Sequence, residues 1–509
     1  VYAINASVHV MPARRVVPNR VWARELVRDV LPALLLTRLV FVALTLLIPL
    51  WRTVTGLGHF TVYPATGTAF DEWNRWDTRW YDDLARLGYN LHGPNDYKNV
   101  AFFPLYPLLV RTLHEAIVIT EQAVLGVVPP DQFHALYLIA GLIVANLCSV
   151  AALAFVYGLV RLDYGRPAAR RATTLLLLSP MSFFLFTAYS EGTFLLCTAA
   201  FFYAVRLERW WQAGLWGLLA AATRPPGALL LVPFLMAWAQ AHPVVAGALA
   251  ARLRLASGTP RAAWGALVAH ARVRVQVQQP QRAPAAVPLD FHPRPSQVRT
   301  PRRRADDVRP GQLPGRLLAW RPRDWPDEVR RALRHVLPAM VIPLGLIFFM
   351  AFLYQVFGDP LWFSRAQQAW WRTFAPPWVT LYLSVVWPFG DVLRGTLTYW
   401  DTYALHDLGY AIMGMGLTWL AWQRLPRVQG VYLWLFWLVV LSVPAMLTKA
   451  PLNEPHHDVL MSLPRMLLTL FPLFTYLGLQ RRLYPWLSVL FTLTLVLYTG
   501  AYLSGAWIS

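Results

Sequence analysis

The chain has 509 residues, of which 57% are hydrophobic and only 14% charged, with 24 tryptophans and a formal net charge of +20. Soluble domains carry about 25% charged residues, so this composition excludes an ordinary soluble enzyme and points to an all-α polytopic membrane protein. The basic excess does not indicate nucleic acid as a partner: it is concentrated between apolar runs, without a zinc finger, a helix-turn-helix or a basic-aromatic strand pattern, and juxtamembrane arginines mark cytoplasmic loops first.

Residues 1–30 carry Arg14, Arg15, Arg20, Arg24 and Arg28 ahead of the apolar run 31–51. This is the pattern of an uncleaved signal anchor with a cytoplasmic N-terminus; because residue 1 is Val, Met11 is a second possible start. Residues 52–133 then form a large first outer loop. Written as a helix, the stretch from Glu72 to Tyr89 places Trp73, Trp76, Trp80, Leu84 and Leu87 on one stripe. Such a stripe suits the level of lipid headgroups, with Arg75 and Asp82 on the opposite face, in water. Asp77 falls on the edge of the stripe beside Tyr81 and Leu84. A carboxylate there is costly unless it has a partner or a task; it is either an acid at a helix N-terminus, the partner of an arginine, or a reactive group. The aromatic run that follows contains Pro104 and Pro107 and reads as an interfacial or re-entrant segment.

The run 134–160 crosses back and ends at Arg161, Arg166, Arg170 and Arg171. Four short runs follow, 172–187, 192–206, 212–223 and 227–241, completing a membrane part 31–242. Several are shorter than the roughly 20 residues of a full span, as around a cavity or a thinned region. Their outer turns carry Ser190-Glu191 and Arg224-Pro225-Pro226-Gly227. Residues 243–334 are an Arg- and Pro-rich cytoplasmic insert, including Arg302-Arg303-Arg304, whose composition predicts disorder. The C-terminal membrane part 335–509 begins with a span at 335–357, followed by an outer loop 358–406 that holds a second aromatic stretch with Gln368. The run 378–389 is too short to assign. Spans at 407–424, 430–447, 465–479 and 486–503 bring the count to about eleven, and the outer loop 449–464 carries His456, His457 and Asp458. No internal repeat is present, against transporters built from duplicated halves. Cys148 and Cys197 lie inside apolar runs and read as packing residues, not a disulfide framework.

This topology collects Asp77, Glu191, Arg224, Gln368, His456, His457, Asp458 and Arg465 at the outer ends of spans. An arginine at membrane depth costs about 2.5–3.5 kcal/mol on insertion scales, so Arg224 needs an anion. A lipid phosphate, matched in two places by a guanidinium, and a salt bridge to Glu191 are the alternatives; Arg465 invites the same pair. His456-His457-Asp458 lacks the i, i+4 spacing of a helical metal pair and reads as a polar loop or acceptor contact. An outer cavity with one unusual carboxylate and buried arginines fits group transfer from a lipid phosphate. The leaving phosphate needs cations and the attacking hydroxyl needs a base, which points to Asp77 as base and the arginines as clamp. A lipid-linked-sugar flippase would also place arginines near phosphates, but it would need charged residues through the spans, and few are present.

Several pieces in chain order are similar to one family: Arg75-Trp76-Asp77 with Tyr81 and Gly88-Tyr89; Phe102-Phe103-Pro104-Leu105-Tyr106-Pro107; Ser179-Pro180 leading to Tyr189-Ser190-Glu191; Thr223-Arg224-Pro225; Gly358-Asp359-Pro360 with Gln368 and Trp371; and Pro464-Arg465. The sequence resembles the PIG-V family, the second mannosyltransferase of GPI-anchor synthesis with its bacterial relatives, within the GT-C class; the insert at 243–334 departs from the pattern. The resemblance implies a GT-C-like fold with amphipathic helices in its first outer loop. It implies a polyprenyl-phosphate sugar donor, typically mannose, a hydroxyl acceptor (glycan, glycolipid or protein), and inverting transfer without cofactor, nucleotide-sugar site or obligatory metal. Asp77 would be catalytic, Arg224 and Arg465 would hold the donor phosphate, and Arg75, Trp76, Tyr81, Tyr106, Tyr189, Glu191, Gln368, His456 and His457 would contact substrate. The site would face away from the cytoplasm, across the plasma membrane in a bacterium. Asp71-Glu72 and Asp82-Asp83 flank Asp77 without pairing with it, which leaves a second carboxylate open.

Overall fold

The computed structural model describes residues 19–55, 68, 70–91, 99–126, 133–249, 327–370, 372–395, 399–445 and 459–506. Among them the architecture is helical, and the one isolated bridge joins Arg372 to Ala445. His456, His457, Asp458 and Trp371 lie outside the described residues, as do residues 250–326 of the basic insert.

The first compact unit, residues 1–235 with 337–509, opens with α1 (Asn19–Thr55). Leu35, Leu39, Leu46 and Leu50 on it are more than half exposed, an apolar surface that water would not tolerate but lipid does. Among the described residues four helical stretches are long and apolar enough to cross a membrane, Trp22–Trp51, Ala135–Tyr164, Asp327–Phe357 and Tyr484–Leu503, or five if one bent pair counts as a span. The protein is an integral membrane protein. The expected count of about eleven spans is not established by these helices, because many of the apolar runs are short. Thus α5 (Arg166–Leu178) has 13 residues and buries Ala168, Ala172, Leu175 and Leu176. It stops at Ser179 because Pro180 disfavours helical geometry in the residue before it.

Against α4 (Phe133–Tyr164) pack both α5 and α6 (Glu191–Arg206), with α7 (Trp210–Thr223) against α6. Small residues permit the approach: a Cβ at Gly192 would fall 2.7 Å from the Ala145 carbonyl oxygen. One end of this bundle is tied by ion pairs. Arg166 grips Asp29 through Nε at 2.7 Å and Nη2 at 2.9 Å, Tyr157 donates to the same carboxylate at 2.8 Å, and Arg161 Nε bonds Glu25 at 2.7 Å. Arg206, at the last residue of α6, pairs with Asp163 at 2.5 Å.

The first-loop stretch departs from the single surface helix its spacing predicts. A 3-10 turn, Asp71–Trp73, is followed by a break in which Trp76 has φ 56°, and α2 covers only Thr78–Leu87. Trp73 is therefore no headgroup anchor; it is fully buried against Phe41 and Phe186 and donates from Nε1 to Thr45 Oγ1 at 2.8 Å. Leu84 is buried too, and only Leu87 at the end of the stripe is exposed. Arg75 and Asp82, expected in water, are turned inward instead. The reason is tertiary: the loop is roofed by α3 (Leu105–Leu125) and α4, so both its faces meet protein. Pro104 caps α3 and Pro107 sits in its first turn, where a missing N–H costs nothing; the two prolines begin a 21-residue helix.

In the C-terminal half of this unit come a helix at Leu344–Phe357, a one-turn helix Trp362–Arg365, and helices at Pro377–Arg394, Tyr399–Arg424, Arg427–Ser442, Leu463–Leu468, Phe471–Leu479 and Tyr484–Leu503. The second compact unit, residues 236–336, contains a helix at Asp327–Val336 with Asp327 and Glu328 in its first turn. Within it Trp238 Nε1 donates to the Ala332 carbonyl at 2.8 Å, and His242 Nε2 lies 2.9 Å from His335 Nδ1. The C-terminal edge of the insert expected at 243–334 is thus helical from Asp327.

Candidate functional site

Asp77 sits where the chain turns into α2, at its N-cap position, yet its side chain does not cap the helix. Its backbone N–H donates to Tyr189 OH at 3.0 Å, and that hydroxyl donates onward to the Arg75 carbonyl at 3.1 Å. The carboxylate is free to turn elsewhere, and Oδ2 accepts from Arg465 Nη1 at 2.7 Å. Among the described residues Oδ1 has no hydrogen-bond partner.

Glu191 is the first residue of α6 and wholly buried, at the helix end that favours negative charge. Its Oε1 accepts from Arg224 Nη2 and lies 3.3 Å from Arg465 Nε. Arg224 closes α7 in extended geometry, as the residue before Pro225 must, and its Nε donates to Ser190 Oγ at 3.0 Å. Tyr81 OH lies 2.7 Å from the same Ser190 Oγ. Arg465 lies on Leu463–Leu468, after Ser462 at φ 70°, and its guanidinium stands 5.4 Å from the Phe184 ring centre and 5.3 Å from that of Tyr189.

Four elements distant in sequence thus deliver two carboxylates and two guanidinium groups to one buried point. The charges balance, which is what makes them tolerable inside protein; an unpaired ion there would cost several kcal/mol. Among the described residues their contacts use Nη1 and Nε of Arg465 and Nε and Nη2 of Arg224, leaving Nη2 of the first and Nη1 of the second for a ligand. The Arg224–Glu191 salt bridge weighed against a lipid phosphate is present, and Arg465 is paired as well; neither pairing removes the capacity of the two arginines to hold an anion.

The remaining expected residues divide. Tyr81, Tyr189 and Glu191 belong to the cluster. Tyr106 is buried beneath it, its ring centre 4.9 Å from that of Tyr81 and its hydroxyl donating to the Gly141 carbonyl at 3.0 Å. Arg75 is a strut: it is 2% exposed, bonds the Glu72 carboxylate, and donates from Nη2 to the Leu503 carbonyl at 2.9 Å. Trp76 is partly buried at the strained turn. Gln368 is exposed on the 3-10 turn Ala366–Trp370, whose Trp370 packs on Trp80 and Phe102. His456 and His457 fall outside the described residues. Among those residues no group of three or more His, Cys, Asp or Glu is placed to hold a metal.

Two contributors were given no role by the sequence. Ser190, flanked by Tyr189 and Glu191, joins Tyr81 to Arg224. Arg372 donates to the Val443 carbonyl at 3.2 Å and the Met461 carbonyl at 2.6 Å, holding the turn from which Arg465 projects. Its position in the second aromatic stretch was the available signal.

Residues 53–245 match the model of the family described as Mannosyltransferase (PIG-V), which supports the PIG-V family indicated by the motifs. The matched segment includes Asp77, Tyr81, Tyr189, Glu191 and Arg224; Arg465 lies beyond it. No curated protein and no solved structure gives a significant match. The family match supports a glycosyltransferase of the mannosyl-transferring kind, carried in a helical membrane protein.

Proposed function

Starting from the mannosyltransferase (PIG-V) segment at residues 53–245, we propose that the protein transfers mannose from a polyprenyl-phosphate donor to a hydroxyl acceptor by an inverting single displacement. The observation that carries this reading is the convergence of Asp77 and Glu191 on Arg224 and Arg465, with one oxygen of Asp77 left open. The acceptor oxygen attacks the anomeric carbon as its proton passes to Asp77 Oδ1. The bond from that carbon to the phosphate oxygen breaks, and its electron pair leaves with polyprenyl phosphate. Arg224 and Arg465 counter the charge gathering on the phosphate, in a buried site where such stabilisation is worth most. Arg465 also holds Asp77 in place through Oδ2, so the base is oriented before substrate arrives.

The reading further places this chemistry on the non-cytoplasmic face. Its support is α6, which begins at Glu191 in the ion cluster and ends at Arg206; 16 residues span about 24 Å, close to the thickness of a bilayer's hydrocarbon core. The arginine-rich end with Arg161, Arg166 and Arg206 is the one expected inside. Proteoliposomes supplied with polyprenyl-phosphate mannose and a panel of hydroxyl acceptors test the function. A new mannosidic bond with inverted configuration supports it; movement of the donor across the bilayer without any new bond would instead identify a flippase.

A further inference from the structure

Beside the ion cluster, between α2, α3 and α4, lies a small cleft partly open to solvent. It has room for about one water-sized group. Asn74, Thr78, Tyr81, Tyr106, Tyr137 and Asp82 contribute to its lining. Asp82 is the unexpected member. Its Oδ1 is shut off from solvent and has no hydrogen-bond partner among the described residues. The arginines of its own helix are drawn to its neighbour: Arg79 Nε lies 3.6 Å and Arg86 Nη2 3.4 Å from the Asp83 carboxylate.

A buried carboxylate oxygen left unmatched is expensive, and such groups are rare unless a ligand completes them. The cleft narrows the ligand's chemistry. A carboxylate only accepts hydrogen bonds when ionised, and no guanidinium or ammonium group lines this cleft, so it suits a neutral hydroxyl donor and repels a phosphate. The site is also coupled to the ion cluster, since Tyr81 lines the cleft with its ring while its hydroxyl lies 2.7 Å from Ser190, the residue that accepts from Arg224. Tyr81 thus stands between the cleft, which neither Asp77 nor the two arginines line, and the ion cluster.

We propose that this cleft is a sugar-recognition subsite in which Asp82 accepts a hydrogen bond from a non-reacting hydroxyl of one of the two substrates, the acceptor or the transferred hexose. The proposal rests on the transferase reading above, and it assigns Asp82 the role of choosing the sugar while Asp77 takes the proton.

Steady-state kinetics of the full-length Asp82→Asn protein in proteoliposomes, with donor and acceptor varied separately, test it. The KM of one substrate should rise about 10- to 100-fold, the loss of a hydrogen bond to a charged group, with kcat changed far less. Which KM rises identifies the source of the hydroxyl, and a deoxy analogue lacking it should penalise the wild type but add nothing in Asp82→Asn. A folded Asp82→Asn protein with both KM values within 2-fold of wild type would overturn the assignment and leave the cleft a site for a structural water only. A binding measurement separates this failure from that of the transferase reading. Methyl hexopyranosides at saturating concentration should raise the thermal midpoint of the detergent-solubilised wild type but not of Asp82→Asn. If they do so while no transfer occurs with any acceptor, the cleft stands and the transferase reading falls; if no member of the series distinguishes the two proteins, the cleft falls.

Discussion

At the scale of single residues, the two aspartates of the first loop are separated by their surroundings. Asp77 is paired with Arg465, whereas among the described residues Asp82 has no paired cation, and burial pushes its carboxyl up to about 7 from an ordinary value of 3.8, with Arg86 opposing the rise and Asp83 adding to it. From the packed helices, the ionisable groups lining the cleft with it are Tyr106 and Tyr137. The sign of the consequence follows from linkage. Between about pH 4 and 7 the folded protein retains a proton that the unfolded chain releases, so this contribution to stability is complete at low pH and lost as pH rises through 7. Asp82→Asn should therefore raise the thermal midpoint at pH 8, by about 2 °C or more, and leave it little changed at pH 4. Thermal unfolding in detergent at both values checks this, and an unchanged or lower midpoint at pH 8 would count against a buried, unmatched carboxylate. Helical spacing identified Asp77 as the acid out of place and separated Asp82 from it. Spacing could not reveal that Asp82 is buried as well, because a helical projection records directions around an axis and not what is packed on the far side.

At the scale of elements, the site depends on turns more than on helices. Sequence reasoning read the stretch from Glu72 as one amphipathic helix, but its chain breaks at Trp76, whose positive φ is a strained geometry for a residue with a bulky side chain. That break carries Trp73 into the core and turns Asp77 toward Arg465. Propensity does not forecast it, since the strain is offset by contacts with α1, Phe186 and Tyr189, all remote in sequence. The motifs around Tyr189-Ser190-Glu191 and Arg224-Pro225 were legible because both lie at helix boundaries marked locally by a cap and a proline. Arg465 is the opposite case, projecting from a turn held by Arg372 through the carbonyls of Val443 and Met461. Arg372→Ala should lower transfer by about 10- to 100-fold, the penalty for displacing a positioning group by roughly an ångström, with Arg372→Lys restoring part of it. A variant that is folded and fully active would show that the turn keeps Arg465 in place without this clamp.

At the scale of the whole molecule, apolar helices define a membrane protein, and the side on which the proposed site lies is argued from charge. The arginines paired with Glu25, Asp29 and Asp163 stand at one end of the bundle and the Asp77–Glu191 cluster at the other. In a background with Cys148 and Cys197 replaced by serine, an impermeant maleimide added to sealed right-side-out vesicles should label Gln368→Cys and spare Trp211→Cys; the reverse pattern would turn the site inward. Composition made the helical membrane class plain, while the number of spans stayed out of reach because short interior helices such as Phe471–Leu479 are as apolar as those facing lipid. The account as a whole stands on one carboxylate. The most direct measurement is the initial rate of mannosyl transfer by Asp77→Asn beside wild type, in protein whose thermal unfolding shows it to be folded. Loss of the base predicts a fall of about 10²- to 10⁴-fold in kcat with donor binding retained; a rate within a few-fold of wild type would contradict the assignment of Asp77.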